Sequence, residues 1–132
     1  MIKVLILDDA QDLLDAMKIF LEKRDFKVKI LATHLQIDHE VENYKPDILL
    51  LDIILPGADG REICKKLREN PKNKNLCIMM ISASPEVLRA YKSWGADGWI
   101  EKPFDLQKII EKMYSVLITC KDEYPPLLKK VS

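Results

Sequence analysis

Residues 48–57 have the sequence Ile-Leu-Leu-Leu-Asp-Ile-Ile-Leu-Pro-Gly, and the predicted fold is built around them. Four large aliphatic residues in a row, followed by turn residues, predict a short strand buried on both faces, as in the middle of a parallel sheet. Pro56 cannot donate to a strand ladder and favours an extended Leu55, so the strand ends there. Asp52 then lies at the carboxyl end of the strand, where open α/β sheets bind ligands. An acid can also simply end a strand, and the other segments decide between the two interpretations.

The length and charge of the chain restrict its class. Its 132 residues suffice for one domain with a substantial core. The 21 basic and 21 acidic residues balance, so we expect no direct binding of nucleic acid by this domain. No apolar run has the length of a membrane span, and the N-terminus shows no secretory leader. These features predict a cytoplasmic domain that does not contact a membrane.

The three cysteines, Cys64, Cys77 and Cys120, show neither close pairing nor the spacing of metal ligands. An odd number of cysteines in a chain expected to be cytosolic predicts reduced thiols. Cys64 and Cys77 are predicted to be core residues. A redox role is the alternative.

Apolar segments rich in Val, Ile and Leu predict five strands, at 2–7, 27–32, 48–52, 76–81 and 99–101. Helical spacing predicts five helices, at 12–23, 35–43, 61–70, 85–94 and from Asp105 onward. Strands and helices that alternate, with connections too long for hairpins, predict a parallel sheet covered on both faces. We therefore expect a flavodoxin-like, doubly wound α/β fold with the strand order 2-1-3-4-5. The predicted domain covers 1–120, and 121–132 form a tail or the start of a linker.

Polar residues follow four of the predicted strands at the edge of the sheet where their carboxyl ends meet. They are Asp8, Asp9, Asp52, Ser82 and Lys102. Two like charges ~4 Å apart repel by about 4 kcal/mol at an effective dielectric constant of roughly 20, so these carboxylates need a cation or a proton among them. Oxygen ligands with room for water suit magnesium. A carboxylate neutralised in this way can act as a nucleophile in phosphoryl transfer, with a lysine and a hydroxyl on the phosphoryl oxygens.

Together these motifs resemble the receiver domain of two-component response regulators over residues 1–120. The matching pieces are Asp8-Asp9, Asp52, Leu55-Pro56-Gly57 with Asp59-Gly60, Ser82-Ala83 and Lys102-Pro103-Phe104. The resemblance implies that Asp52 accepts a phosphoryl group from a histidine kinase or a phosphotransfer protein, which switches a protein-interaction surface. It implies no enzyme activity beyond promotion of the domain's own phosphorylation and dephosphorylation.

The resemblance also implies a magnesium site. Asp9, Asp52 and the backbone carbonyl of Ile54 would bind Mg2+, with Asp8 assisting through water. Polar side chains are also common in the family at the position of Ile54. The apolar side chain found here is expected to alter the access of the attacking water and hence the lifetime of the phosphoryl group.

The resemblance assigns Ser82 and Lys102 to the phosphoryl oxygens and implies a cis peptide bond between Lys102 and Pro103. In the family, the hydroxyl residue at the position of Ser82 moves toward the phosphoryl group and an aromatic ring swings inward behind it. That aromatic is Trp99 here, larger than the usual tyrosine or phenylalanine. Trp99 is expected either to act as a switch residue or to pack against the last two helices.

The predicted output surface consists of the fourth helix, the fifth strand and the fifth helix, which also offer a homodimer interface. Its residues are Val87, Leu88, Tyr91, Trp94 and Trp99. Tyr114 and Ile118 lie off the buried stripe of the last helix, where they either form a dimer seam or broaden the core face. The first helix, with the loop around Pro103, is the surface predicted for the kinase.

Three alternatives remain at this point. The first is an enzyme on the same topology, but a flavodoxin phosphate loop would be repelled by Asp8 and Asp9, and a haloacid-dehalogenase-like phosphatase needs two acids separated by one residue. The second is an interaction module that works without phosphorylation. The third is the N-terminal receiver of a longer DNA-binding regulator.

Overall fold

A five-stranded parallel sheet forms the centre of the computed structural model, which describes residues 1–121. Its strands in chain order are β1 (Ile2–Leu7), β2 (Phe26–Leu31), β3 (Ile48–Asp52), β4 (Cys77–Ser82) and β5 (Gly98–Glu101). The spatial order β2-β1-β3-β4-β5, with every pair parallel, confirms the predicted topology. Since every residue of β3 is buried, this strand suits the middle of the sheet.

Within residues 1–121, five α-helices cover both faces of the sheet, as predicted. They are α1 (Gln11–Glu22), α2 (Ile37–Tyr44), α3 (Gly60–Glu69), α4 (Pro85–Leu88) and α5 (Leu106–Cys120). The helices α1 and α5 pack on one face, and α2, α3 and α4 pack on the other, which gives two separate hydrophobic clusters. None of these helices is long and apolar enough to cross a membrane. The predicted tail lies outside the described residues except for Lys121, so its boundary stays a prediction.

The loop that follows β3 contains an unpredicted hairpin. Ile54–Leu55 pairs with Ala58–Asp59 in antiparallel fashion. Gly57 forms the turn between them with a φ of 70°, in the left-handed region that glycine occupies without steric cost. The hairpin leads directly into α3 and so fixes the backbone on the carboxyl side of β3.

The prediction of one continuous helix over 85–94 was wrong. The helix α4 ends at Leu88, and a 3-10 turn over Tyr91–Trp94 follows. Leu88 and Trp94 are both buried in the same hydrophobic cluster. In a straight α-helix, residues six apart point about 120° away from each other. The break lets both side chains enter the core, so neither belongs to the output surface predicted for them.

The prediction of reduced thiols was wrong for two of the three cysteines. Cys77 and Cys120 are joined by a disulfide, with their Cα atoms 5.9 Å apart. Cys77 opens β4, and Cys120 ends the helix that packs over that strand, so their proximity depends on the tertiary structure and not on their spacing. Cys64 is a free, buried thiol, and Cys77 is also fully buried, which confirms the prediction that both are core residues.

Candidate functional site

The register of the sheet brings the predicted polar residues to one edge, which we call the carboxyl edge. Leu7 lies opposite Leu51, so the next residues, Asp8 and Asp52, are level with each other. On the other side of β3, Asp52 lies opposite Ile81, one residue before Ser82. Ser82 in turn lies opposite Glu101, one residue before Lys102. Each strand therefore ends within one residue of its neighbour, and the polar side chains that follow converge.

Lys102 connects two of the converging carboxylates. Its Nζ lies 2.8 Å from Asp8 Oδ2 and donates a hydrogen bond of 3.0 Å to Asp52 Oδ2. The Lys102–Pro103 peptide bond is cis, as the resemblance implied. The backbone N–H of Lys102 also donates to the Ser82 carbonyl at 2.8 Å, which ties the loop after β5 to the end of β4.

The carboxylates of Asp8, Asp9 and Asp52 form a group whose oxygens lie within 4.8 Å of one another. Asp8 is fully buried and Asp52 nearly so, whereas Asp9 is exposed. Asp8 Oδ1 accepts a hydrogen bond from the Ala10 N–H, but Asp8 Oδ2 faces the Lys102 ammonium without receiving a directed hydrogen bond. A buried oxygen with unused acceptor capacity beside two more carboxylates fits a hard divalent cation such as magnesium.

The electrostatics of the group also favour a further cation. Burial raises the pKa of Asp52; the hydrogen bond from Lys102 opposes this rise, and the Asp8 charge adds to it. Burial on its own would lower the pKa of Lys102, but its contacts with Asp8 and Asp52 outweigh burial and raise that pKa, so the ammonium keeps its charge. The single ammonium neutralises one of the three carboxylate charges, and a divalent cation would neutralise the other two.

Ser82 and Ile54 occupy the border of the acidic group. Ser82 is buried, and its Oγ accepts a hydrogen bond of 3.1 Å from the Ser84 N–H. The Ile54 N–H donates to Asp52 Oδ1 at 3.1 Å, which orients the carboxylate. The Ile54 side chain is 75% exposed, so a large apolar group stands in solvent at the rim of the site. The roles that the sequence assigned to the Ser82 hydroxyl and the Ile54 carbonyl stay predictions.

Gly60 is a residue of the site whose role the sequence does not indicate. A Cβ atom at this position would lie 2.2 Å from the backbone oxygen of Asp52 and 2.8 Å from the Cα of Ile53. Its N–H donates to the Ile53 carbonyl at 2.7 Å. The start of α3 therefore touches the backbone beside Asp52, and only glycine permits this approach. The Asp59-Gly60 pair is one of the pieces that match the receiver pattern, and nothing in the sequence indicates this close contact.

Trp99 lies on β5 with its side chain partly exposed and packed against the cluster on the α3 side of the sheet. The Lys112 ammonium of α5 lies 4.6 Å from the centre of the indole ring, in cation–π range. Tyr114 packs on the other face, with its ring 5.7 Å from that of Phe26, and so broadens the core face as one alternative predicted. Ile118 is exposed.

A family model described as "Response regulator receiver domain" matches residues 4–114. The chain therefore belongs to the response regulator receiver domains, which are signalling modules of two-component systems and interact with histidine kinases or phosphotransfer proteins. Membership in this family favours the receiver interpretation over a flavodoxin or a phosphatase, the two enzyme-type alternatives with the same topology.

Individual relatives agree with this assignment. The chain is 34% identical to the uncharacterized transcriptional regulatory protein YvcP of Bacillus subtilis (strain 168) over 134 residues, which cover 100% of this chain and 55% of that protein. It is 28% identical to the phosphate regulon transcriptional regulatory protein PhoB of Rhizobium meliloti (strain 1021), over 92% of this chain and 54% of the relative. The chain thus spans about half the length of these curated relatives.

Solved structures share the fold. The crystal structure of a CheY-like response regulator receiver domain protein from Methanospirillum hungatei JF-1 superposes with a TM-score of 0.82 at 29% identity. The match covers 93% of this chain and 98% of that one. The match covers most of both chains, so this chain shares its overall fold with a receiver of known structure.

Proposed function

We propose that this domain receives a phosphoryl group on Asp52 from the phosphohistidine of a histidine kinase or phosphotransfer protein and transmits that event to a partner surface. The observation that supports it most is the placement of Asp8, Asp9, Asp52 and Lys102 in one group at the carboxyl edge. A structural strand-end acid needs neither two further carboxylates nor a bridging ammonium.

In the proposed reaction, an Asp52 carboxylate oxygen attacks phosphorus and forms the acyl phosphate while the P–N bond to the donor imidazole breaks. The leaving imidazole takes up a proton. Lys102 contacts Asp52 Oδ2 and would bind a phosphoryl oxygen, and the Ser82 hydroxyl would bind another. The Ile54 N–H holds the second carboxylate oxygen, so the attacking atom keeps a fixed orientation.

Magnesium is part of the proposal. Asp9, Asp52 and the Ile54 carbonyl would hold Mg2+, with Asp8 assisting through water. When bound, the ion neutralises the carboxylates and supplies positive charge to the transferring phosphoryl group. The donor set of hard oxygens, one of them a buried oxygen without a directed hydrogen bond, supports this assignment.

The proposed docking surface for the phosphoryl donor lies beside the site. An apolar depression of about 390 Å3 adjoins Lys102 and is lined by Leu13, Ala83, Lys102, Pro103 and Phe104. It joins the first turn of α1 to the cis-proline loop, the two elements that the sequence indicated. An apolar surface next to the nucleophile lets a partner helix bind while its histidine reaches Asp52.

The output side of the proposal involves Ser82 and Trp99 as switch residues. The added charge would draw the Ser82 hydroxyl, and Trp99 would move with the loop after β4. Its contact with Lys112 gives the indole a defined resting position from which such motion starts. Homodimerisation through α4, β5 and α5, an effector domain beyond residue 132 and a cytoplasmic location stay predictions.

Acetyl phosphate tests the proposal without knowledge of the kinase. The wild-type chain incubated with Mg2+ and acetyl phosphate is expected to gain the mass of one phosphoryl group, and chelation of the metal is expected to prevent this. Asp52→Asn keeps the shape of the side chain but is expected to gain nothing. Asp38→Asn, which removes an exposed carboxylate on α2, is the matched control and should behave as wild type.

Two outcomes would contradict the proposal. Equal phosphorylation of Asp52→Asn and wild type would place the phosphoryl group on another residue. No phosphorylation of the wild type by acetyl phosphate or by any phosphorylated histidine donor would favour an interaction module that works without phosphorylation.

A further inference from the structure

The edge of the sheet opposite Asp52, which we call the amino edge, carries the disulfide. Cys77 is the first residue of β4 and is fully buried, whereas Cys120 is the last residue of α5 and is partly exposed. The distance of 5.9 Å between their Cα atoms is within the common range for a disulfide. The backbone at this edge therefore accommodates the bond without rearrangement.

Other contacts hold the two cysteines in place independently of the bond. The Cys77 N–H donates to the Asp47 carbonyl at 3.3 Å, and the side chain of Asp47 forms an ion pair of 3.4 Å with Lys121, the residue after Cys120. Asp97 accepts a hydrogen bond of 2.9 Å from the Ile78 N–H, directly after Cys77. These contacts do not involve the sulfurs, and they hold the last turn of α5 against the start of β4.

A metal site is the other chemistry that this group of residues could support, because the Asp97 carboxylate lies within 4.8 Å of both sulfurs. However, Asp97 Oδ2 already accepts hydrogen bonds from the Arg68 guanidinium and from the Ile78 N–H, both at 2.9 Å. That oxygen is therefore already occupied, and the two sulfurs are bonded to each other. The geometry favours a bond between the two sulfurs over a shared ion.

We propose that Cys77 and Cys120 form a reversible redox site, at which a low-molecular-weight disulfide of the glutathione type oxidises the thiol pair and fixes the end of α5 to the sheet. The proposal does not depend on phosphorylation of Asp52. Cys120 is the reactive partner because part of it reaches solvent, and the buried Cys77 is the resolving partner.

The exchange has two steps. The Cys120 thiolate attacks one sulfur of the small disulfide, a mixed disulfide forms, and one small thiolate leaves. The Cys77 thiolate then attacks the Cys120 sulfur, the protein disulfide forms and the second small thiolate leaves. The two protons lost by the protein thiols end on the two released thiols. The protein is oxidised by two electrons, and the small disulfide is reduced by the same two.

The bond has a mechanical consequence at the C-terminal end of the domain. Residues 122–132 follow immediately after the turn that the disulfide fixes. Because the sequence separation of the cysteines is 43, the bond closes a loop of about one third of the chain, from β4 through α5. Oxidation is therefore expected to raise the melting temperature of the domain by on the order of 10 °C, through loss of conformational freedom in the unfolded chain.

The test uses the full 132-residue chain, treated either with dithiothreitol or with oxidised glutathione. After removal of the reagents, the chain is unfolded in an alkylating agent, and its peptides are identified by mass spectrometry. We expect Cys77 and Cys120 to be alkylated in the reduced sample and protected together in the oxidised one, with Cys64 alkylated in both. The oxidised sample should melt at the higher temperature.

Matched variants separate this site from other effects. Cys120→Ser is expected to abolish the difference in melting temperature between the two treatments, and Cys64→Ala is expected to keep it. Alkylation of both cysteines after oxidation would overturn the proposal. So would protection that a chelator removes, since that result would mean a bound metal ion, and so would an undiminished temperature difference in Cys120→Ser.

Discussion

The carboxyl edge and the amino edge each bring aspartate side chains next to other reactive groups, but the two edges differ in how far those groups are satisfied. At the carboxyl edge, Asp8 and Asp52 share Lys102, and a buried carboxylate oxygen has no directed hydrogen bond. At the amino edge, Asp97 has two partners, and the nearby sulfurs are bonded to each other. The first edge leaves binding capacity for a ligand, whereas the second satisfies its polar groups internally. Unused capacity in a buried polar group distinguishes a functional site from a structural one.

Gly60→Ala should cause the largest loss of stability among these tests, because it disturbs the backbone at the carboxyl edge. The added Cβ would overlap backbone atoms of Asp52 and Ile53, neither of which can rotate away. We expect a loss of about 4 kcal/mol in the free energy of unfolding, measured by urea denaturation, together with loss of phosphorylation by acetyl phosphate.

Gly57→Ala is the control for Gly60→Ala. Gly57 has a positive φ but open space around its Cβ position, so alanine there is expected to cost only about 1 kcal/mol of backbone strain. If both variants lost the same stability, the close approach of α3 to Asp52 would not be what requires glycine at position 60.

Arg68→Met tests the amino edge, where the guanidinium satisfies several groups at once. It donates to Asp97 and to the carbonyls of Gly95, Asn73 and Leu76, at 2.8 to 3.0 Å. Methionine would fill similar space but leave these partly buried acceptors without donors, at an expected cost of about 3 kcal/mol in unfolding free energy. Phosphorylation of the folded fraction should not change, because the edge that carries Asp52 is untouched.

Arg61→Met is the matched control on the same helix. Arg61 pairs with Asp59 at the exposed start of α3, and a solvated ion pair contributes little to stability. No measurable change in urea denaturation is expected. A large loss of stability in Arg61→Met, or none in Arg68→Met, would contradict the view that the amino edge is the structural one.

The pH dependence of stability tests the burial of Cys64, the thiol that has no partner cysteine. Burial raises the pKa of this thiol from 9.0 to about 11. Between these values the unfolded chain releases the proton and the folded chain keeps it, so stability is full below about pH 9 and falls as pH rises toward 11. The expected loss is about 2 kcal/mol by pH 10.5, measured as the difference between wild type and Cys64→Ala. Equal pH slopes in the two proteins would contradict this assignment.

Magnesium is expected to give the smallest effect and to act on one edge only. At a concentration ten times its dissociation constant, a ligand that binds only the folded state stabilises it by about 1.4 kcal/mol, or a few degrees in melting temperature. Asp9→Asn should remove this shift, while Asp38→Asn should keep it. A shift that persists in Asp9→Asn would show that the ion binds outside the acidic group.

The same comparison explains what could be predicted from the sequence. The group of polar residues at the carboxyl edge could be predicted from the order of the strands alone. Each of its members comes at or directly after the end of a recognisable strand: Asp8, Asp52, Ser82 and Lys102. The amino edge was missed because the meeting of Cys77 and Cys120 depends on the length of α5 and on the direction in which it packs. Gly60 and the break after Leu88 were missed for a related reason, since both depend on contacts between elements distant in the chain.

The helix α5 connects the two edges. It begins four residues after Lys102 and ends at Cys120, and its 15 residues span about 22 Å. One end of this helix therefore lies near the proposed phosphoryl site, and the other end is joined to β4 by the Cys77–Cys120 disulfide. A dye attached after residue 121 is expected to report whether the cysteines are bonded, and its response to acetyl phosphate would measure how far a phosphorylation signal travels along α5.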